Sequence, residues 1–281
     1  MDVSIGLPNA VPGTTGAQLT EWARRAEARG FKSLGTIDRI AYDNYEPLVA
    51  LAAAAAVTER IGLTTSVLLA PLREGAAAIA KQTISLQALS NGRLTLGIGI
   101  GGREDDYATA EVNMGERGET VDQMLARIIE LWDAEHIGPS TVGPPRLLVG
   151  GGVDASFERA AKYGDGWIAG GLPPEAFAEA AGKVKAEWEK AGREDSPRLE
   201  GLAYFSLGEE AEANANAYLK DYYAWLGEET ANFIAGSAAK DADTVKGYLA
   251  AFEGVGCDEL ILFPSSANPD QVDLLADAAG L

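Results

Sequence analysis

The stretch 61–99, IGLTTSVLLAPLREGAAAIAKQTISLQALSNGRLTLGIG, decides the fold of this chain. Its first nine residues and its last seven form two short, largely apolar segments, as expected of buried β-strands. The segment between them, from about Ala76 to Leu89, has the length and spacing of an α-helix and ends at Asn91-Gly92. A strand, a helix and a strand in this order form a unit whose two strands run parallel. We therefore predict a parallel sheet covered by helices.

The same alternation continues along all 281 residues. Eight apolar runs have the character of strands: Val3–Leu7, Ser33–Ile37, Ile61–Leu69, Arg93–Gly99, Arg146–Val149, Gly166–Ala169, Leu199–Leu207 and Glu259–Phe263. The first helix between them begins with a capping box formed by Thr15 and Gln18. Eight repeats in this length predict a single α/β domain, residues 1–281, folded as a closed (β/α)8 TIM barrel. The extra length between Tyr218 and Lys240 predicts an inserted helix or lid before strand eight.

The chain is acidic, with 23 lysines and arginines against 42 aspartates and glutamates and a formal net charge of −19. Such a surface repels nucleic-acid phosphates and anionic lipids, so we expect neither kind of partner. The longest apolar run, Leu48–Val57, is about half of the roughly 20 residues that a membrane span requires. Because the chain has one cysteine, Cys257, and no basic and apolar leader, we expect a soluble cytoplasmic protein.

Polar side chains follow the second and third strands, and the chemistry of a (β/α)8 barrel lies at the carboxyl ends of its strands. Asp38 and Arg39 could hold a polar ring or a substrate anion, or they could form a structural ion pair at the rim. Thr65 and Ser66 could hydrogen-bond a heterocycle, although such residues also suit an ordinary strand. We predict catalytic roles for the first pair and cofactor contacts for the second.

A glycine-rich run, Gly97–Gly102, follows strand four and has the spacing GxGxxG. A Rossmann site needs that motif after the first strand and directly before a helix, whereas this run leads into charged residues. We therefore reject a dinucleotide-binding fold. Gly99 and Gly101 would instead let a flat ring approach the backbone closely, or they would form only a flexible loop.

A second glycine run, Gly150, Gly151 and Gly152, follows strand five and precedes a helix that Asp154 could cap. Free backbone amides at such a turn, together with a helix N-terminus, attract anions. We predict a phosphate site here, to which Ser156 could add a hydroxyl. The structural alternative is a tight turn between a strand and a helix.

Three other barrel chemistries are less well supported. A metal hydrolase needs a histidine cluster, and the only histidine, His136, falls near a helix end, so we predict no metal site. A Schiff-base aldolase needs a lysine inside the barrel, and the candidate lysines fall on helices or at strand starts. A glycosidase needs paired carboxylates, for which Glu104 and Glu209 stay open, although both lie in charged runs typical of solvated loops.

A series of short motifs runs in order along nearly the whole chain. They are Glu46–Leu51, Val57–Ile61, Ala80–Gln82, Leu89–Leu94, Leu96–Gly99, Glu116–Gly118, Pro144-Pro145, Gly150-Gly151, Arg159–Ala161 and Asp165–Trp167. Together they resemble the luciferase-like monooxygenases, a family of flavin- or deazaflavin-dependent oxidoreductases.

The resemblance implies a barrel, usually dimeric, that binds FMN or coenzyme F420 at its C-terminal mouth. In this family the ring rests against the end of strand three, often over a cis peptide that does not involve proline, which here would be Ser66–Val67. The family's phosphate site maps to Gly150–Gly152. Trp167, together with Tyr42 and Tyr107, is then a candidate wall of the pocket.

One departure from the family concerns the pair Asp38-Arg39, because many relatives carry Asp-His there. Arginine cannot act as a general base near neutral pH, but it could stabilise an anionic reduced ring or bind a substrate carboxylate. Two activities stay open on a small organic substrate. One is an FMN monooxygenase that receives reduced flavin from a separate reductase, and the other is a deazaflavin enzyme that moves hydride. A flavin-binding barrel without turnover is the remaining alternative.

Overall fold

The computed structural model describes residues 1–135 and 137–281, so the predicted position of His136 near a helix end falls outside the described residues. Eight parallel strands close into a barrel in chain order, and the last strand pairs with the first. The strands are β1 Asp2–Gly6, β2 Ser33–Thr36, β3 Gly62–Leu69, β4 Leu94–Gly99, β5 Arg146–Gly150, β6 Gly166–Ile168, β7 Arg198–Phe205 and β8 Glu259–Pro264. The predicted (β/α)8 barrel is confirmed.

In the described part of the chain, ten α-helices lie between these strands and an eleventh follows β8. They are α1 Gly16–Arg29, α2 Pro47–Ala55, α3 Ala76–Leu89, α4 Glu104–Thr109, α5 Arg117–Asp133, α6 Asp154–Tyr163, α7 Pro174–Lys190, α8 Ala211–Tyr222, α9 Glu228–Ser237, α10 Ala242–Gly254 and α11 Asp270–Ala279. The predicted capping box is confirmed, because Thr15 accepts from the Gln18 amide and Gln18 accepts from the Thr15 amide. Among these described helices, none is both long and apolar enough to cross a membrane.

The barrel interior is polar near the N-terminal ends of the strands. Ser4 and Ser33 each donate to Glu259 Oε1 at 2.5 Å. Arg198 pairs with both Glu259 and Glu200. Burial, and next the nearby charge of Glu259, raises the pKa of Glu200 to about 7. Because this network fills the end opposite to the predicted site, the C-terminal mouth is the end left for chemistry.

The connection from β7 to β8 contains more than one helix. A short 3-10 turn at Ala224–Leu226 and α9 separate α8 from α10, which confirms the insertion predicted between Tyr218 and Lys240. Tyr218 of α8 packs edge-on against Tyr204 at the end of β7, with ring centroids 6.4 Å apart. Tyr204 also contacts the interior residue Phe263. Helix α8 therefore covers part of the mouth.

The charged run after β4 forms the short helix α4, where the sequence predicts a solvated loop. Glu104 and Asp105 are exposed as expected. Asp106 is only 1% exposed, because its carboxylate accepts hydrogen bonds from Arg39 and from the backbone amide of Ile40. The solvated-loop prediction is therefore wrong for Asp106, which anchors α4 to the loop that follows β2.

Candidate active site at the mouth of the barrel

The end of β3 has an irregular backbone. The Ser66–Val67 peptide is cis, as the family resemblance implies, and the register with β4 shifts between Thr65 and Leu68. The side chain of Val67 lies over β4 and β5, where a Cβ on Gly150 would come within 2.8 Å of Val67 Cγ1. A Cβ on Gly99 would meet Val67 Cγ2 even more closely. These two glycines therefore make room for Val67, and Val67 is the group that faces the mouth.

The two hydroxyls predicted to contact a cofactor differ in their surroundings. Thr65 is fully buried, and its hydroxyl donates to the carbonyl oxygen of Gly97 at 2.8 Å, inside the barrel wall. Ser66 Oγ is buried and has no hydrogen-bond partner among the described residues. Only the Ser66 hydroxyl is therefore left with unused hydrogen-bonding capacity.

Asp38 lies at the end of β2 and is buried. Its Oδ2 accepts from the backbone amide of Leu69 at 2.8 Å and from the guanidinium of Arg73, a residue that the sequence did not single out. Its Oδ1 is buried and lacks a partner in the described ranges. Burial raises the pKa of Asp38, while the charge of Arg73 opposes that shift. One carboxylate oxygen is thus fixed, and the other is left with unused hydrogen-bonding capacity.

Arg39 is held within the protein. Its side chain is 3% exposed, and it donates to Asp106 at 2.6 Å and to Asp105 at 2.7 Å. The guanidinium also lies 5.2 Å from the ring centroid of Tyr42. This geometry is that of the structural ion pair considered as the alternative, and it joins the loop after β2 to α4.

The backbone at Gly101, after β4, and at Gly151, after β5, adopts conformations that favour glycine. Gly101 has a φ of 69° and packs under Leu69. Gly151 has a φ of 139°, and a Cβ there would lie 2.6 Å from Ser156 Cβ. Gly151 and Gly152 are exposed, and Ser156 stabilises the start of α6 because its hydroxyl donates to the Val153 carbonyl at 2.5 Å. The turn is therefore a rigid, accessible cradle of backbone.

Trp167 is not a wall of the mouth, so that prediction needs correction. Its side chain is fully buried outside the barrel, in the core beneath the helices, with ring centroids 5.9 Å from Phe157 and 5.5 Å from Phe177. Its indole nitrogen donates to the Gly151 carbonyl at 2.8 Å. This hydrogen bond means that Trp167 positions the glycine turn. The ring lies outside the barrel because a side chain on this face of β6 points toward the helices and away from the interior.

The other two predicted wall residues, Tyr107 and Tyr42, have different positions and different roles. Tyr107 is buried, and its hydroxyl donates to the Ile100 carbonyl, so it supports the loop after β4. Tyr42 is partly exposed, and its hydroxyl donates to Asp221 of α8 at 2.7 Å. Its ring meets Tyr222 edge-on with centroids 5.2 Å apart. Tyr42 therefore joins the β2 loop to the helix that covers the mouth.

Sequence reasoning missed Arg103, Tyr222 and Trp225. The Arg103 guanidinium carbon lies 4.2 Å from the ring centroid of Tyr222 and 5.0 Å from that of Trp225. The position of Arg103, directly after the glycines that follow β4, was the available signal. The aromatic residues come from the inserted segment more than a hundred residues later, so no local pattern links them to it.

Two competing chemistries receive no support from the geometry. Glu104 and Glu209, the candidate glycosidase carboxylates, are both exposed in solvated segments. Within residues 1–135 and 137–281, no group of three or more histidine, cysteine, aspartate or glutamate side chains could hold a metal ion.

The mouth has the features that a flat ring with a phosphate tail requires. Val67 presents an apolar surface, and two buried oxygens without partners, Ser66 Oγ and Asp38 Oδ1, lie at neighbouring strand ends. The turn Gly150–Gly152, exposed at Gly151 and Gly152, offers backbone that a side chain at Gly151 would obstruct. The residues present therefore fit a flavin or deazaflavin, because such a ligand combines an apolar face, a polar edge and an anion.

Comparison with known proteins agrees with this geometry. The family described as luciferase-like monooxygenase matches residues 1–260. An F420-dependent hydroxymycolic acid dehydrogenase of Mycobacterium tuberculosis is 29% identical over 174 residues, which cover 54% of this chain and 48% of that protein. This chain therefore matches about half the length of that relative.

Solved structures share the fold over almost the whole chain. An F420-dependent secondary alcohol dehydrogenase in complex with an F420-acetone adduct has a TM-score of 0.82 at 16% identity and covers 99% of this chain and 98% of its own. A riboflavin lyase with modified FMN and riboflavin has a TM-score of 0.74 at 16% identity, with coverages of 99% and 90%. At these identities the similarity shows the fold alone. Because the family match spans residues 1–260, the chain belongs to the luciferase-like monooxygenase family.

Proposed function

We propose that this chain is an oxidoreductase that binds coenzyme F420 or FMN at the mouth of its barrel and acts on a small organic substrate. The observation that carries the proposal is the group at two neighbouring strand ends, where Val67 and the unpartnered Ser66 Oγ lie at the irregular part of β3 and the unpartnered Asp38 Oδ1 follows β2. Membership of the luciferase-like family and an F420-dependent relative at 29% identity support it.

The residues divide the work by their chemistry. Val67 supports one face of the ring, while Ser66 Oγ and Asp38 Oδ1 contact its polar edge. The amides at Gly150–Gly152 hold the phosphate. The bound cofactor supplies the redox chemistry, and the protein supplies binding, orientation and exclusion of water. Arg39 does not contact the ligand in this proposal; its role is to hold α4 and the loop after β2 in place.

Of the two cofactors, we favour F420 and hydride transfer, because the 29% identical relative is F420-dependent. FMN with a separate reductase remains the second candidate, supported by the riboflavin lyase, whose likeness extends to the fold only. We further propose that the protein works in the cytoplasm.

The proposed function is tested by titration and turnover. We expect F420 or FMN to bind with a dissociation constant well below about 1 mM, whereas NADH binds weakly because the Rossmann context is missing. Ligand fluorescence measures both. If neither F420 nor FMN binds, the proposal is wrong. If one binds but no panel of alcohols, aldehydes or aromatic substrates changes its redox state, the chain is a flavin-binding barrel without turnover.

We also propose a homodimer that forms through α2 and α3. Two large apolar side chains on these helices are strongly exposed: Val49 by 64% and Leu89 by 75%. They border a cleft of about 600 Å³ that includes Ala52 and Ala78. Exposed apolar side chains at a cleft that polar residues such as Lys81 and Gln82 also line are typical of an interaction surface.

Light scattering on the purified chain is expected to give the mass of two chains, about twice 29.4 kDa. Leu89→Glu should lower the measured mass to that of one chain, because the dimer interface would bury a carboxylate without a partner. The matched control is Leu274→Glu, which alters a side chain that is 40% exposed on α11. A monomeric parent would contradict the proposal, and so would a dimer that Leu89→Glu leaves intact.

A further inference from the structure

Arg103 differs from two other arginines at the mouth. Arg39 and Arg73 are each paired with two carboxylates. Arg103 forms no salt bridge with any described residue, and its one hydrogen bond runs from Nη1 to the carbonyl oxygen of Tyr222 at 2.7 Å. The charge of Arg103 is therefore not neutralised by a carboxylate of a described residue within salt-bridge distance, although the chain carries 42 acidic residues and a net charge of −19.

Aromatic rings hold the guanidinium in position. The nearest is Tyr222, with Trp225 and Tyr223 at 5.0 and 5.7 Å from ring centroid to guanidinium carbon. Stacking on aromatic faces leaves the charge in place and fixes the plane of the fork. Because guanidinium carries five N–H donors and one is used here, most of its donors remain for a ligand.

The surroundings of Arg103 indicate the kind of ligand. The residue follows Gly101 and Gly102 after β4, so it lies at the edge of the proposed ring site. Trp225 is 51% exposed and offers a flat apolar surface beside the cation. A preorganised guanidinium with free donors binds carboxylate or phosphate in a bidentate manner.

We propose that Arg103 binds the anionic group, a carboxylate or a phosphate, of a ligand that enters the mouth, and that Tyr222 and Trp225 keep the guanidinium oriented for it. This inference deepens the proposed function and rests on it for the identity of the ligand. The anion can come from the acidic side chain of F420 or from an acidic substrate. The same guanidinium chemistry serves both sources, and binding experiments separate them.

The test compares acidic ligands with neutral partners in Arg103→Gln, whose amide can still donate to the Tyr222 carbonyl. One pair is F420 and its deazaflavin alcohol, which lacks the phosphate and the glutamates. The other pair is benzoate and benzamide, added to the cofactor-saturated protein and, separately, to the cofactor-free protein, and followed by tryptophan fluorescence. The control is Arg60→Gln, which removes the same charge from an exposed side chain before β3.

We expect Arg103→Gln to weaken the acidic member of at least one pair by about tenfold or more, corresponding to about 1.4 kcal/mol, and to leave the neutral member unchanged. Loss of F420 affinity assigns the site to the cofactor, and loss of benzoate affinity assigns it to the substrate. Arg103→Lys should fall between parent and glutamine variant, because it keeps the charge and loses the fork.

The proposal is overturned if a folded Arg103→Gln protein binds all four ligands as the parent does. If that variant fails to fold, the affinities of the parent protein test the proposal. Equal affinity for the acidic and neutral members of both pairs would exclude an anion site. A parent that binds neither F420 nor FMN refutes the proposed function. In that case, benzoate and benzamide still test Arg103 in the cofactor-free protein.

Discussion

Replacing Arg39 with alanine is expected to lower the free energy of unfolding by about 3 kcal/mol. The substitution leaves Asp106 buried without its cation, and an uncompensated buried charge of this kind costs about 3–5 kcal/mol. The lower end of that range applies, because the amides of Ile40 and Ala41 continue to donate to Asp106 Oδ1 at 2.8 and 2.7 Å. Urea denaturation of parent and variant measures the difference.

The two carboxylates that pair with Arg39 provide matched controls. Asp106→Asn should destabilise strongly, since it leaves the guanidinium buried without its nearest partner. Asp105→Asn should cost at most about 1 kcal/mol, because its side chain is 57% exposed and the pair is screened by solvent. Equal losses in the two asparagine variants, or a loss below about 1 kcal/mol in Arg39→Ala, would show that the ion pair does not anchor α4.

This geometry also changes what the pair Asp38-Arg39 means for catalysis. From the sequence, adjacent residues at one strand end suggest a joint role. In the structure the two side chains have different partners. Asp38 pairs with Arg73 and has one oxygen without a partner among the described residues, whereas Arg39 forms its ion pair with Asp106 of α4. Turnover lost in Arg39→Ala would therefore report on the position of the loops, and Asp38 is the better candidate for direct contact with a ligand.

The features that the sequence predicted correctly are determined locally. The capping box of Thr15 and Gln18 and the helix Ala76–Leu89 each depend on residues that are close in the sequence. The closed barrel follows from repeating such units eight times, because short connections between parallel strands leave few other topologies. The strand ends, and hence the place of the site, follow from the same pattern.

The contacts that define the site join distant segments, and so the sequence could not predict them. Arg39 and Asp106 are 67 residues apart, and α4 was expected to be solvated. Trp167 was assigned to the mouth because its neighbours matched a family motif, yet its position in β6 points it toward the helices. The glycines after β4 suggested access for a ring, but what occupies the space over Gly99 is Val67 from β3.

The second large effect is expected at Gly151. Gly151→Ala should weaken FMN binding by at least about tenfold, because the new Cβ would lie 2.6 Å from Ser156 Cβ and 2.8 Å from its Oγ. Its φ of 139° is also one that residues with a Cβ rarely adopt. Ser156 cannot yield cheaply, since its hydroxyl donates to Val153 and accepts from the Val153 amide. Gly151→Asp should have a larger effect, because it adds a carboxylate where the phosphate is proposed to bind.

The same substitutions at Gly152 separate local geometry from charge. A Cβ on Gly152 meets no described atom within 4 Å, so Gly152→Ala should bind FMN as the parent does, while Gly152→Asp should weaken it by repulsion alone. Riboflavin, which lacks the phosphate, should be affected much less than FMN by the three variants expected to weaken FMN binding, Gly151→Ala, Gly151→Asp and Gly152→Asp. Fluorescence titration of both ligands measures this, with losses for a charge-assisted phosphate site of about 1.5–3 kcal/mol. If Gly151→Ala weakens riboflavin and FMN equally while the protein stays folded, the turn supports the ring and the phosphate binds elsewhere.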